Sequence, residues 1–301
     1  MKYSFNILLT ITFIINFVSV IKANSIKIAV LKYGSVNWEY NVIKHHKLDK
    51  KNNIKVKKVE ITNKDASTVA FLSKSVDIFV TDWIWVSKQR NKGNLVSFYP
   101  YSNSAGGLMI KKGEKINSFL DLKNKKIGVA GGSLDKSWLF LRAYAIKKYK
   151  KDPLTFFNTS FAAPPLINGL LRNNQLDAGY NYWNYTARLE ALGYEEFLTL
   201  KDILPYIGIE GELPLIGYVF REGFVQENEV TLKGFIKASN EARKILKTSD
   251  NEWLRISEMT GAKNQLMRKN IQHAYEILSQ IGGEELVGSS SSLAAGTYWN
   301  K

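Results

Sequence analysis

The 301-residue chain has no cysteine, three histidines, six prolines and, among its 42 basic residues, only eight arginines. Without cysteine there is no disulfide scaffold, no thiolate-held zinc or iron–sulfur centre and no thiol nucleophile. Three histidines, two of them the neighbours His45 and His46, leave little for a multi-histidine metal centre, so no cofactor is expected. The shortage of arginine bears on the net charge of +15, because arginine is the residue suited to phosphate and base-edge forks. The lysines are spread along the chain and alternate with apolar positions. They read as a lysine-rich solvated surface, and no nucleic-acid partner is expected.

What is present fits a soluble α/β protein. Apolar residues make up 45% and charged residues 23%, near the globular average, and the length allows two domains. Residues 1–23 place Lys2 ahead of an apolar stretch over 7–20 and end at Ala23, the layout of a secretory signal peptide. Thr10, Thr12, Asn16 and Ser19 interrupt that stretch, which falls short of the ~20 residues a spanning helix needs. Ile21-Lys22-Ala23 departs from a small-x-small site, which keeps an uncleaved anchor as the alternative. The mature protein is expected outside the cytoplasm, in the periplasm.

From residue 26 onward, short β-rich runs alternate with helical stretches. Strands are expected over 26–31, 54–61 and 76–81. Helices follow over 36–47, capped by Ser35; over 66–74, capped by Asp65 with Val69 and Leu72 inward; and over 83–91, capped by Asp82. A second pass has strands over 126–130, 154–161 and 177–180. Its helices cover 134–149, 166–173 (Leu166, Leu170 and Leu171 on one side) and 183–192, the last stopped by Gly193. The stretch 205–217 reads as a return connection, followed by an extended segment at 218–220 and helices over 229–247, 251–259 and 265–280. In the first of these helices, Leu232, Phe235, Ile236, Ser239 and Leu246 share a face. Two α/β lobes with crossings near 104–111 and 212–220 make a bilobed clamp, its cleft at the strand carboxyl ends. The expected division is 1–23 signal peptide, 24–108 with 215–301 as lobe 1, and 109–214 as lobe 2.

Four pieces in this order carry a resemblance: IKIAVLKYGSVNWE, VDIFVTDWIWV, SAGGLMIKKGEKINSFLDLKNKKIGVAGGSLDKSWLFLRAY and APPLINGLLRNNQLDAGYNYWNYTARL. Over roughly residues 26–200 the chain resembles the bacterial periplasmic solute-binding proteins of sulfonate, nitrate and thiamine-pyrimidine ABC importers. The resemblance implies a type II periplasmic-binding-protein fold, a small-molecule ligand, permease and ATPase partners, and a monomer. Where that family usually has Trp-Glu-Pro this chain has Tyr182-Trp183-Asn184, and Asp82 replaces a small residue after the VDI strand. Both departures fall at expected ligand positions and leave the solute open.

Candidate ligand residues are Trp38, Asp82, Trp83, Ser104, Gly106, Gly132, Ser133, Trp138, Asn181, Tyr182 and Trp183. Gly131-Gly132-Ser133 offers backbone N–H groups at a helix start, a seat for an anion or carbonyl oxygen, or else an ordinary glycine turn with a serine cap. Ser104, Ala105 and Gly106 stand at the first crossing, where they offer a hydroxyl and backbone groups or simply permit the turn. Trp38, Trp83, Trp138, Tyr182 and Trp183 each begin a helix that follows a strand, although core packing explains any single one. Aromatic faces suit a flat heterocycle or an ammonium group. Asp82 is either a partner for an amine or a plain N-cap; Glu39 is a weaker acid expected to face solvent, and Asn184 a further hydrogen-bonding side chain. No nucleophile–base constellation is evident. The expected function is capture of a small polar or amine-bearing molecule, aminopyrimidine-like or a sulfonate such as taurine, for an ABC importer. The alternatives are a thiamine-pyrimidine synthase-like enzyme, whose cysteine-rich motif is missing here, and a solute-sensing partner of a membrane receptor.

Overall fold

The computed structural model describes residues 24–103, 106–210 and 214–278. The expected signal peptide (1–23) and Ser104 lie outside the described residues. Strand β1 (Ser25–Leu31) is followed by α1 (Val36–His45), α2 (Leu48–Lys51), β2 (Lys55–Ile61), α3 (Lys64–Leu72), β3 (Phe79–Asp82), α4 (Trp83–Asn91) and β4 (Val96–Ser102). After a crossing come β5 (Leu108–Lys111), a 3-10 turn (Phe119–Leu122), β6 (Lys126–Ala130), α5 (Lys136–Tyr149), α6 (Pro153–Phe156) and β7 (Asn158–Ala162). Next are α7 (Pro164–Arg172), β8 (Ala178–Tyr180), α8 (Trp183–Glu190), β9 (Tyr194–Leu198) and α9 (Leu200–Ile207). The chain then crosses back to β10 (Ile216–Arg221), α10 (Glu222–Glu227), α11 (Glu229–Thr248), α12 (Asp250–Arg255) and α13 (Gln265–Leu278).

The two sheets repeat one topology. In the first, β1 pairs parallel with β2, touches the lead-in to β3 through the Ile28–Ile78 bridge, and β10 lies antiparallel between β3 and β4. The second runs β7-β6-β8-β5-β9, with β5 antiparallel between β8 and β9. Each sheet therefore has three parallel strands, an inserted antiparallel strand delivered by a crossing, and a fifth strand beyond it. The inserted strand of each sheet enters directly from the other lobe, which ties the halves together at their backs and leaves the β1, β3, β6 and β8 carboxyl ends facing the cleft.

Separate apolar cores underlie the sheets. One gathers Ile26, Ile28, Val42, Leu232, Phe235 and Trp253; the other gathers Leu108, Leu122, Val129, Trp138 and Leu141. Helix α11 buries Leu232, Phe235, Ile236, Ser239 and Leu246 as its periodicity requires. Helix α8 spans the halves, since Trp183 and Ala187 join the first core and Arg188 Nε donates to Thr260 O at 2.9 Å.

Several local expectations are corrected. Asn63, not Asp65, caps α3, accepting from Ala66 N at 2.8 Å. The helix therefore starts earlier and turns Ser67 and Phe71 inward, leaving Val69 and Leu72 exposed. Ser35 sits in helical conformation and caps nothing with its side chain. Pro153, with Asp152 accepting from Leu154 N at 3.0 Å, starts a helical turn where a strand was expected, so β7 begins only at Asn158. On α7, Ile167, Asn168 and Leu171 face inward and Leu166 faces water. Pro205 lies inside α9, which the Thr199–Asp202 capping box starts and Gly208, at φ +92°, ends.

Candidate functional site

Within the cleft, each lobe points a helix N-terminus inward, and each N-terminus is already occupied by a carboxylate. Asp82 ends β3 and accepts from Trp85 N at 2.9 Å; Asp135 precedes α5 and accepts from Ser137 N at 2.9 Å. Both are buried, at 4% and 3% exposure. Between them lies Lys64, from the first turn of α3, with Nζ 2.6 Å from Asp82 and 3.8 Å from Asp135. The three charges form a bridge from one lobe to the other. Tyr182 adds a 3.4 Å hydrogen bond from its hydroxyl to Asp135. Burial pushes the Asp82 carboxyl up, but Lys64, Lys136 and the donors from Lys64 and Trp85 N outweigh it and hold it below its ordinary value. Burial likewise works against the Lys64 ammonium, and Asp135 and Asp82 more than offset it, so its pKa is raised.

A chamber of about 120 Å³ opens beside this bridge. Its walls come from both lobes: Leu31, Val36 and Val80 on one side, Trp183 and Asn184 on the other. Asn184 and Thr81, at 3% and 2% exposure, line it, and Asn184 Nδ2 and Thr81 Oγ1 are buried without a hydrogen-bond partner. A buried, unpaired amide donor costs about 1–3 kcal/mol, which a ligand acceptor at that position offsets. A second chamber of about 350 Å³ shares Leu31, Gly34, Lys64 and Tyr182 with the first and extends outward past Gly131 and Gly132.

The residues expected at the ligand separate into groups. Asp82, Gly106, Tyr182 and Trp183 line the inner chamber; Gly132 and Tyr182 line the outer one. Gly106 is there for close approach, because a Cβ on it would come within 1.4 Å of Asn181 O across the crossing. Trp38 and Trp138 are core residues at 2% and 0% exposure and line neither chamber. Trp38 stands edge-on to both Trp183 and Trp253. Trp83 packs against the second lobe's core. Asn181 is spent on structure: its Nδ2 donates to Pro164 O and Asn168 Oδ1, and its Oδ1 accepts from Tyr182 N. Ser133 is exposed and lines neither chamber; the cap of α5 is Asp135, two residues later, so the expected anion seat holds a carboxylate of the protein itself.

Glu39 is not at the surface. At 1% exposure it accepts hydrogen bonds from Tyr101, from Tyr275 at 2.9 Å and from Tyr218 at 3.3 Å, with Arg243 stacked over the Tyr101 ring. Burial raises its pKa against the pull of Arg243 and the three hydroxyls. This cluster pins α1, β4, β10, α11 and α13 together. The sequence reading missed Lys64 and Asp135. The ranking of aspartate with serine as an N-cap pointed to Asp135; Lys64 has no local signal, because its partners are 18 and 71 positions away in the chain.

Comparison with solved structures identifies the architecture. The periplasmic aliphatic sulphonate binding protein SsuA from Escherichia coli matches with a TM-score of 0.66 at 16% identity, covering 83% of this chain and 79% of that one. The ligand-binding component of an ABC-type import system from Staphylococcus aureus matches at 0.61 and 16% identity, covering 83% of each. A Candida albicans gene product with the generic periplasmic binding protein fold matches at 0.57 and 11%, covering 84% of this chain and 81% of that one. The fold is thus the bilobed periplasmic-binding-protein fold. Among curated proteins no sequence matches. The NMT1/THI5 like family model covers residues 50–251, well over half the chain. The chain belongs to the NMT1/THI5-like family.

Proposed function

We propose that this protein is the extracytoplasmic solute-binding component of an ABC importer, with lobes of residues 24–108 plus 215–301 and 109–214. The observation that carries this reading is a chamber walled by both lobes and crossed by the Asp82–Lys64–Asp135 bridge. A solute that touches both walls favours the closed arrangement over the open one, and the closed form is what a permease would read. No bond is made or broken in this account. The charged groups on the chamber wall are engaged with one another, and His45 and His46 lie at the end of α1, outside both linings. Among the described residues no helix is long and apolar enough to cross a membrane, which suits a component that meets the membrane only through its permease.

The charge pattern selects among solutes. Lys64 and Lys136 on the inner wall are balanced by Asp82 and Asp135, and both helix N-termini are capped by those carboxylates. A sulfonate entering here meets two carboxylates at the positions an anion would use. A flat, uncharged or weakly basic ring with an amine fits better: Trp183 and the aliphatic wall take its faces, Asn184 Nδ2 and Thr81 its acceptors, and Asp82 its amine. The test is calorimetric titration of the purified protein with 4-aminopyrimidine and with taurine. Binding of the pyrimidine alone is expected, weakened about tenfold in Asn184→Ala through loss of one buried hydrogen bond. Binding of taurine in its place would overturn the solute assignment, and turnover of the pyrimidine would overturn the binding-protein reading.

A further inference from the structure

The two ends of lobe 1 differ in charge. At the cleft the cations are answered: Lys64 is held by Asp82 and Asp135, and Lys136 lies near Asp82. At the opposite end, where β1 and β2 begin, they are not. Lys47 and Lys50 at the α2 turn, Lys55 and Lys57 on edge strand β2, Lys27 on β1 and Lys237 on α11 are all exposed. Every acid on these elements is engaged by another lysine: Asp49 by Lys44, Glu60 by Lys58, Glu229 by Lys233 and Glu241 by Lys51. Asp77, beside Lys27, accepts from the Lys27 backbone and faces Arg221. The fold brings the six lysines to one side. Asn53 N donates to Lys50 O at 3.0 Å, Asn53 O accepts from Asn24 Nδ2 at 3.3 Å, and Lys55 N donates to Asn24 O at 2.7 Å. Lys27 stands across from Lys57 in the β1–β2 pair, two like charges side by side. Helix α11 lies against the same turn, since a Cβ on Gly234 would come within 2.9 Å of Asn52 O. Burial pushes the Glu241 carboxyl up, and Lys51, Asn52 and Lys237 outweigh it, which sets Lys237 beside α2.

We propose that this face docks on an anionic phospholipid surface, holding the base of lobe 1 against the headgroups and turning the cleft away from them. All six cations are lysines. An ammonium is a point charge that suits the diffuse field of a headgroup layer, whereas forks for single phosphates call for arginine. The face is also where the chain enters the fold. Asn24, in its midst, follows residues 1–23, whose apolar stretch over 7–20 is itself suited to lipid. Kept, that stretch and the lysines supply the two signals that stable attachment takes; removed, the lysines alone give a reversible, salt-sensitive contact. The contact adds to the permease a second meeting with the membrane, made with headgroups, and it does not depend on which solute the cleft holds.

The experiment is co-sedimentation of the full chain with two sets of vesicles, phosphatidylcholine alone and phosphatidylcholine with about 30% phosphatidylglycerol, in about 0.1 M salt. The quantity read is the ratio of the two affinities, in which the apolar contribution of residues 1–23 cancels. Each lysine beside an anionic surface strengthens attachment about fivefold, so the unaltered protein should favour the anionic vesicles by about a thousandfold or more. Lys47→Asn/Lys50→Gln/Lys55→Gln should take about a hundredfold off that preference; asparagine suits the left-handed backbone of Lys47, at φ +54°. Lys57→Gln/Lys237→Gln, on other elements of the face, should take off about 25-fold and serves where the triple variant fails to fold. Lys123→Gln/Lys150→Asn/Lys151→Gln removes the same charge from exposed positions of lobe 2 and should change the preference by no more than about twofold. In about 1 M salt the preference should vanish. No preference for the anionic vesicles, an equal loss in the lobe 2 variant, or a preference that survives high salt would overturn the proposal. Tighter binding to a DNA duplex than to the anionic vesicles, lost in the same triple variant, would give the face to nucleic acid and overturn it as well. None of these outcomes bears on the solute reading.

Discussion

Replacing Lys64 by methionine keeps the length and apolar stem of the side chain and removes only the charge. The ammonium sits 2.6 Å from Asp82 and 3.8 Å from Asp135, carboxylates that are 4% and 3% exposed. Removing one partner of a buried ion pair costs about 3–5 kcal/mol, because the remaining charge stays desolvated. Lys64 leaves 23% of its side chain in water and Lys136 stays near Asp82, so the low end, about 3 kcal/mol, applies. For domains of 150–250 residues that is a fall in Tm of roughly 6–12 °C. The assay is a thermal melt near pH 7, run beside the triple variant Lys64→Met/Asp82→Asn/Asp135→Asn. Asparagine keeps the caps of α4 and α5 while removing the stranded charges, so the triple variant should recover most of the loss. The pH profile supplies a second check. Asp82 has a lowered pKa, so its share of stability is present above the unfolded value and is lost as pH falls through the folded one. The raised pKa of Lys64 gives a share that is present below its unfolded value and is lost as pH rises through the folded one, at strongly alkaline pH. The melt of the unaltered protein should therefore drop on acidification below about pH 4 by more than that of the triple variant. A loss below about 1 kcal/mol in Lys64→Met, the range of an exposed pair, would refute the argument that this bridge is buried and joins the lobes.

Two further outcomes follow from the geometry. Gly106→Ala should disrupt the end of the β5–β8 pairing where the crossing enters the second sheet, since its Cβ would overlap Asn181 O at 1.4 Å; a thermal melt should show a lower Tm and titration at least a tenfold weaker solute, whereas an unchanged Tm would place the strain elsewhere. Glu196 has its carboxyl raised to about 7, by burial and then by Glu190. Its ionised form opposes folding as pH rises from the unfolded value through 7, so Glu196→Gln should raise Tm at pH 8 and leave it nearly unchanged at pH 4, by an amount kept small because the side chain on edge strand β9 is only partly withdrawn from water.

Much of the architecture was legible along the chain. The alternation of β-rich runs with capped helices predicts two α/β passes, and strands such as Lys126–Ala130 and helices such as Trp83–Asn91 and Glu229–Thr248 fall where their residues place them. Such signals are local: they depend on neighbours within one turn or one strand. The misreadings were local as well, in that a cap two residues earlier, Asn63 for Asp65, rotated a helix face and exchanged Phe71 for Val69 and Leu72. The candidate site was less legible. A tryptophan one turn into a helix after a strand looks the same whether it faces core or cleft, and only packing separates Trp38 and Trp138 from Trp183. Nor does any periodicity reveal that Glu39 is buried beneath three tyrosines contributed by β4, β10 and α13.

Composition and pattern by themselves determined the class of protein: an α/β chain of two lobes, without cysteine, with aromatic residues and an aspartate at strand-to-helix turns. Tertiary structure alone decided the character of the cleft. The approach of Lys64 to Asp135 and the chambers walled by both halves come from bringing separate lobes face to face, and the seat of Lys64 on Asp82 from packing α3 beside β3. Electrostatic interaction falls off over a few ångströms and depends on burial, and neither quantity is written in the order of residues.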